Sequence, residues 1–213
     1  MTAFANALAA VAARVGGNAA SVSVDGGSRD AERAAGERAT AVALAAAGSP
    51  DHRLAGRAAD GCPRFPSGYA GSIAHAAGVA VAVVAPRTPA HAAVGIDVEV
   101  SGALCVRDAE FVLDPRERAL VAAHPRPDWS ATLLWSAKEA AFKAWSAATG
   151  GLGRVDPVDI SVTVDERAAT VEVVATGPLR QVVDPFGAAV GAYGEADGLL
   201  LTLVRVAEPN PEG

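Results

Sequence analysis

The sequence predicts an α+β fold, in which helices flank runs of strands that are mostly joined as hairpins. Valine-rich apolar stretches at 78–86 and 93–100 are typical of buried strands. Helix start and stop residues bracket the stretches 115–123 and 129–149. Shorter strand-like stretches occupy the last third of the chain, at 158–164, 169–175 and 198–206.

The first predicted helix runs over about 30–47. Ser28 or Asp30 can cap its start, and Gly48-Ser49-Pro50 ends it. The segment 49–71 is rich in glycine, proline and charge, which predicts a loop.

Two later helices are separated by prolines. Asp114-Pro115 is a helix start, because proline is favoured at the first helical position. His124-Pro125-Arg126-Pro127 interrupts the helical pattern, and the longer second helix ends at Gly150-Gly151.

Composition limits the class of protein. The chain has 213 residues, is 51% hydrophobic and carries a formal net charge of −6, which fits one compact unit or two small subdomains. An acidic balance disfavours a nucleic-acid role. No uninterrupted apolar run reaches the roughly 18–20 residues that span a bilayer. Cys62 and Cys105 lack zinc-like spacing, so we expect reduced thiols in a cytoplasmic protein.

Asp97 and Glu99 form a carboxylate pair within the second apolar strand. Residues two apart on a strand face the same side, so the two carboxylates project together. Their repulsion and desolvation favour a cationic partner, and a hard divalent ion such as magnesium suits oxygen ligands. The alternative is a strand whose polar face is simply exposed to solvent.

A second candidate lies on the long predicted helix, where Glu139 and Lys143 are four residues apart and share a face. Large apolar residues surround them, including Trp135 and Phe142, which is unusual for a surface ion pair. The spacing alone fits an ordinary ion pair as well as a functional one.

A third candidate is the Gly71-Ser72-Ile73-Ala74-His75 segment. A Gly-Ser loop that leads into a strand can offer backbone N–H groups and an imidazole to a phosphate. A structural role for His75 is the alternative.

Taken in the order in which they occur along the chain, the three candidates resemble the motif blocks of the larger, monomeric class of 4′-phosphopantetheinyl transferases, especially those serving siderophore, nonribosomal peptide and polyketide synthases. The blocks cover 65–75, 94–99 and 135–143, and 29–36 resembles the family's basic helix start. The chain departs from the family pattern by having Glu37, Cys62, Phe65, Ala74 and Ala76 where the family often has Arg, Lys, Trp, Ser and Ser.

The resemblance implies two similar α/β halves, 1–105 and 106–213, related by a pseudo-twofold axis with the active site in the cleft between them. It implies Mg²⁺-dependent transfer of the phosphopantetheine arm of coenzyme A to a serine of an apo acyl or peptidyl carrier protein, releasing 3′,5′-ADP. It further implies a monomer. From the charge, the apolar runs and the cysteines we also expect a cytoplasmic protein that binds neither nucleic acid nor membrane.

The resemblance also assigns roles. The metal would be bound by Asp97, Glu99 and Glu139. Glu139, or a water that it orients, would accept the serine proton, and Lys143 would donate to the pyrophosphate or the leaving group. The other cofactor-binding residues, which would bind or attract the phosphates, are Arg29, Arg33, Arg38, Arg57, Ser72 and His75.

The carrier protein would dock chiefly on the second half, near 113–123 and the start of the long helix, because carriers are acidic and Arg116, Arg118 and Arg126 lie there. Two alternatives remain open from the sequence. One is a non-catalytic relative that binds coenzyme A or a carrier, and the other is a Mg²⁺-dependent hydrolase of a pyrophosphate or phosphodiester.

Overall fold

The computed structural model describes residues 2–58 and 61–209. Its helices, in chain order, are α1 Thr2–Arg14, α2 Arg29–Ala46, α3 Val106–Ala109, α4 Pro115–Ala123, α5 Pro127–Thr149 and α6 Gly177–Val183. Its strands are β1 Asn18–Ser23, β2 Gly56–Arg57, β3 Pro63–Arg64, β4 Tyr69–Ala76, β5 Val79–Pro86, β6 Ala93–Val100, β7 Ile160–Asp165, β8 Thr170–Ala175, β9 Ala189–Ala196 and β10 Leu199–Val206.

The strands form two antiparallel sheets and a short ribbon. The smaller sheet has the order β1-β5-β4, and the larger one has the order β6-β10-β9-β8-β7. The ribbon pairs β2 with β3. Mixed helices and antiparallel sheets confirm the predicted α+β class.

One long helix covers each sheet. Ala43 and Leu44 of α2 pack on Ala82 and Val84 of β5. On the larger sheet, α5 buries an apolar face that includes Trp145 against β7, β8 and β10. Two halves, each with a long helix on a sheet, agree with the predicted arrangement, and the pseudo-twofold relation stays a prediction.

A third apolar cluster joins the two halves. It combines Phe4 and Leu8 of α1 with buried residues of both sheets, such as Val83, Ile96 and Leu203. Strand β6 precedes residue 105 but pairs with β10, so the larger sheet contains strands from both sides of that boundary. The division at 105 therefore stays a proposal.

Most of the predicted elements are confirmed to within two residues, including 93–100 and 115–123, whose bounds agree with β6 and α4. Asp114 caps α4 through a capping box with Glu117. Two loop predictions are wrong in part: the segment 49–71 contains β2, β3 and the start of β4, and residues 71–75, expected to begin in a loop, lie within β4, paired to β5. The small residues of this segment give little strand signal, and its pairing with β5 decides its conformation.

No helix in the ranges 2–58 and 61–209 is long and apolar enough to cross a membrane.

Candidate active site

Gly95 brings strand β6 and helix α5 into backbone contact. A Cβ at this position would overlap the carbonyl oxygen of Ala140, so only glycine permits this approach. Because the two backbones nearly touch, side chains that follow on each element meet directly. The close packing places the second half's helix beside the first half's carboxylates.

Lys143 of α5 and Asp97 of β6 form an ion pair at this contact. Lys143 Nζ lies 2.7 Å from Asp97 Oδ1 and also donates to the Ile96 carbonyl at 3.1 Å. Asp97 is only 6% exposed, and its Oδ2 atom is buried with no hydrogen-bond partner among the described residues. Thr202, opposite Asp97 on β10, has a buried hydroxyl that likewise lacks a partner there.

Glu99 and Glu139 share the electrostatic surroundings of Asp97. Burial raises the pKa of Glu99, and the charge of Asp97 raises it further, while a hydrogen bond from Trp135 and the charge of Lys143 act against this. Burial also raises the pKa of Glu139, opposed by Lys143 and reinforced by Asp97. Crowded carboxylates of this kind bind protons or cations more readily than isolated ones.

The donor chemistry of this group suits a hard divalent ion, since an orphaned buried carboxylate oxygen adjoins two carboxylates of raised pKa. The predicted convergence of three carboxylates is not reached, however. Within the described parts of the chain, no group of three or more His, Cys, Asp or Glu side chains is arranged to hold a metal ion.

A cavity of about 540 Å³ opens beside the Lys143–Asp97 pair, between α2 and β4 of the first half and α5 of the second. Predicted residues that line it are Arg29, Arg33, Arg57, Ser72, His75 and Lys143. The Arg57 guanidinium is held by a 2.8 Å hydrogen bond to the Gly61 carbonyl. The cavity wall thus concentrates positive charge in a protein of net charge −6.

Ser72 and His75 both line the cavity but lie on opposite faces of β4. Alternation along β4 buries Ser72 on the face of Ala70 and Ala74, whereas His75 is exposed on the opposite face. His75 Nδ1 lies 3.7 Å from Glu32 of α2, which also lines the cavity. The histidine is therefore the better placed of the two to meet a ligand.

Arg38 lies outside this cavity. Its guanidinium is 3.8 Å from Asp25 and donates to the Ser23 carbonyl at 3.3 Å. It faces a neighbouring groove, which Arg57 also lines. The predicted set of three α2 arginines is thus divided, with two in the cavity and one in the groove.

Glu139 opens into a smaller cavity of about 240 Å³, and Phe142 lines both this cavity and the larger one. Trp135 and Lys138 contribute to the same wall. No role was predicted for Lys138 or Thr202. The position of Lys138 in an apolar stretch of α5 could have indicated that its side chain is buried. Thr202 is recognised only from the pairing of β10 with β6, which the sequence does not show.

Two family models match the chain. The 4′-phosphopantetheinyl transferase superfamily model matches residues 93–183, and the 4′-phosphopantetheinyl transferase N-terminal domain model matches residues 18–85. Together they span most of the chain. The protein therefore belongs to the 4′-phosphopantetheinyl transferase superfamily, and the resemblance to its larger class is confirmed.

Curated relatives agree with this membership. The 4′-phosphopantetheinyl transferase Svp of Streptomyces mobaraensis is 36% identical over 155 residues, covering 70% of this chain and 61% of the relative. The 4′-phosphopantetheinyl transferase Npt of Nocardia iowensis is 29% identical over 182 residues, covering 78% of this chain and 77% of that protein. The chain thus spans less than two thirds of the length of Svp.

Solved structures also resemble parts of the chain. The ACPS–CoA complex of Chronobacterium ammoniagenes has a TM-score of 0.43 at 21% identity, covering 55% of this chain and 97% of that one. Helicobacter pylori holo-[acyl-carrier-protein] synthase in complex with coenzyme A has a TM-score of 0.41 at 19% identity, covering 54% and 99%.

Proposed function

We propose that this protein transfers the 4′-phosphopantetheine arm of coenzyme A to a serine of an apo carrier protein and releases 3′,5′-ADP. The main observation behind this proposal is that the cationic cavity lies beside the Lys143–Asp97 ion pair, in the cleft between the two halves. Family membership and the names of the curated relatives support the reaction type. We also propose that the protein is a cytoplasmic monomer that binds neither membrane nor nucleic acid.

Coenzyme A would bind with its phosphates toward the arginines of the cavity. Arg29, Arg33 and Arg57 offer guanidinium groups that suit phosphate geometry. His75 lies on the same wall and would contact the 3′-phosphate. Lys143, which also lines the cavity, would donate to the pyrophosphate.

Asp97, Glu99 and Glu139 would hold the metal ion, with Asp97 Oδ2 as the donor that has no other partner among the described residues. Bound Mg²⁺ offsets negative charge that develops on the departing phosphate. The protein's own part is to neutralise one carboxylate through Lys143 and to keep the others partly desolvated.

Glu139 is the proposed acceptor of the serine proton, directly or through a water. Its pKa is raised by burial, which brings a carboxylate closer to the range where it transfers protons near neutral pH. Its position in the smaller cavity, across Phe142 from the arginines, leaves an approach for a second substrate.

The carrier protein would dock near 113–123 of the second half. Arg116 and Arg118 are exposed on α4, and Phe111 beside them is 71% exposed. Arg126 is less suited to binding an acidic carrier, because its guanidinium lies 4.2 Å over the Trp129 ring and 3.4 Å from Glu195.

Intact-mass spectrometry of apo acyl and peptidyl carriers incubated with the protein, coenzyme A and Mg²⁺ tests the function. We expect the carrier to gain the mass of one phosphopantetheine arm, and EDTA to prevent the gain. Coenzyme A binding without any gain would favour a non-catalytic relative. Coenzyme A cleavage with an unmodified carrier would favour a hydrolase.

A further inference from the structure

One ion pair lies entirely inside the second half. Lys138 of α5 is 1% exposed and Glu117 of α4 is 0% exposed, with 2.7 Å between Nζ and Oε2. Neither residue lines the larger, arginine-rich cavity, so neither is placed to bind coenzyme A there. Lys138 instead borders the smaller cavity beside its neighbour Glu139.

Each polar side-chain atom of the pair has a hydrogen-bond partner. Lys138 Nζ donates to Glu117 and to the carbonyls of Val112 at 2.8 Å and Pro157 at 2.9 Å, which accounts for the three N–H groups of an ammonium. Glu117 accepts from the backbone N–H groups of Asp114 at 2.9 Å and Val162 at 2.8 Å.

Lys138 ties α5 to α4, to the chain before α4 and to the turn before β7, and Glu117 links α4 in turn to β7. A buried ion pair is weak support for stability alone, because apolar residues of similar volume often serve as well. Its directional bonds do differ from apolar packing, since they fix how far a helix is rotated and shifted along its axis. The fixed residue immediately precedes Glu139.

We propose that Lys138 and Glu117 are positioning residues that hold Glu139 and Lys143 of α5 in register with Asp97 of β6. The inference rests on the proposed function for its kinetic consequence. A misplacement of about 1 Å at a reacting group costs on the order of 10²-fold in rate. Loss of the pair should therefore lower kcat while coenzyme A binding is kept.

The test uses the double variant Lys138→Met with Glu117→Leu, which removes both charges and leaves no unpaired buried ion. Thr132→Val is the matched control, because Thr132 is a fully buried α5 residue whose hydroxyl donates to Asp128 at 2.8 Å and accepts from Leu104 at 3.0 Å. Circular dichroism and thermal melting first establish that both variants are folded.

For the double variant we expect kcat for carrier modification to fall on the order of 100-fold, with the KM for coenzyme A within about threefold of wild type. Thr132→Val should keep wild-type kcat. A folded double variant with wild-type kcat, or an equal loss in the control, would overturn the positioning role.

A crystal structure of the double variant provides a readout that does not depend on turnover. The proposal predicts that α5 shifts against β6 and that the 2.7 Å contact between Lys143 and Asp97 is lost. An unchanged contact would contradict the positioning role even if the wild-type protein modified no carrier. If α5 shifts in the double variant but the wild-type protein modifies no carrier, only the proposed function is contradicted.

Discussion

Lys143 Nζ lies 2.7 Å from one carboxylate oxygen of Asp97, while the other oxygen of that carboxylate is buried without a partner among the described residues. Helix α5 and strand β6 supply the two residues, and Gly95 permits the approach. The pair neutralises one of the carboxylates in the cleft and leaves one oxygen free for a cation.

Glu139→Gln should lower kcat by roughly 10²–10⁴-fold, because the variant loses the proposed proton acceptor. Steady-state kinetics of carrier modification measures the effect. Glu172→Gln, an exposed carboxylate on β8, is the control and should retain wild-type kcat. A loss of kcat below tenfold for Glu139→Gln would indicate that another group accepts the serine proton.

Glu99→Gln should raise the melting temperature of the metal-free protein at pH 7. The folded-state pKa of Glu99 is raised above 4.5, so the charged form is disfavoured in the fold. The protonated Glu99 side chain therefore contributes stability that is fully present below pH 4.5 and is lost as the pH rises through the folded-state pKa. Melting in EDTA across this range should show the variant's advantage at pH 7 and none at pH 4. A gain in melting temperature that is equal at pH 4 and pH 7 would show that the titration of Glu99 is not its cause.

Arg33→Ala should weaken coenzyme A binding by about tenfold, which is typical of losing a hydrogen bond to a charged group. Arg38→Ala should change it by less than about twofold, because Arg38 lies in the neighbouring groove. Titration calorimetry with coenzyme A and with its 3′-dephospho form measures both. Equal losses in the two variants would contradict the assignment of the cavity.

Charge reversal of Arg116 and Arg118 together should raise the KM for the carrier about tenfold or more, because each repels an acidic partner. The KM for coenzyme A should not change. Charge reversal of Arg180, an exposed arginine on α6, controls for the general effect of net charge. Unchanged carrier KM in the double variant would place docking on another surface.

Elements with strong local signals could be predicted from the sequence, and those that depend on pairing could not. Helix α4 begins with Asp114-Pro115, and β6 is rich in valine and isoleucine despite its two carboxylates, so both were predicted with their observed bounds. Strand β4 consists mostly of small residues and owes its conformation to β5. Strands β1 and β9 and helices α1 and α6 were not predicted from the sequence.

The relative directions of site residues could be predicted where the residues lie on one helix or strand. Arg29 and Arg33 differ by about 40° around a helix, but Arg38 is about 140° beyond Arg33, which explains why it faces elsewhere. The close backbone approach at Gly95 was not predicted, because only the folded structure shows that the Ala140 carbonyl packs against it. The Lys138–Glu117 pair joins two helices, so only the folded structure reveals it.

The central claim is that the carboxylates beside Lys143 carry out metal-dependent transfer. Intact-mass spectrometry of an apo carrier, with coenzyme A and Mg²⁺, should compare wild type, Asp97→Ala and the surface control Glu172→Ala. We predict that wild type and the control load the carrier with one phosphopantetheine arm, and that folded Asp97→Ala loads none. Near-normal loading by Asp97→Ala would contradict the claim.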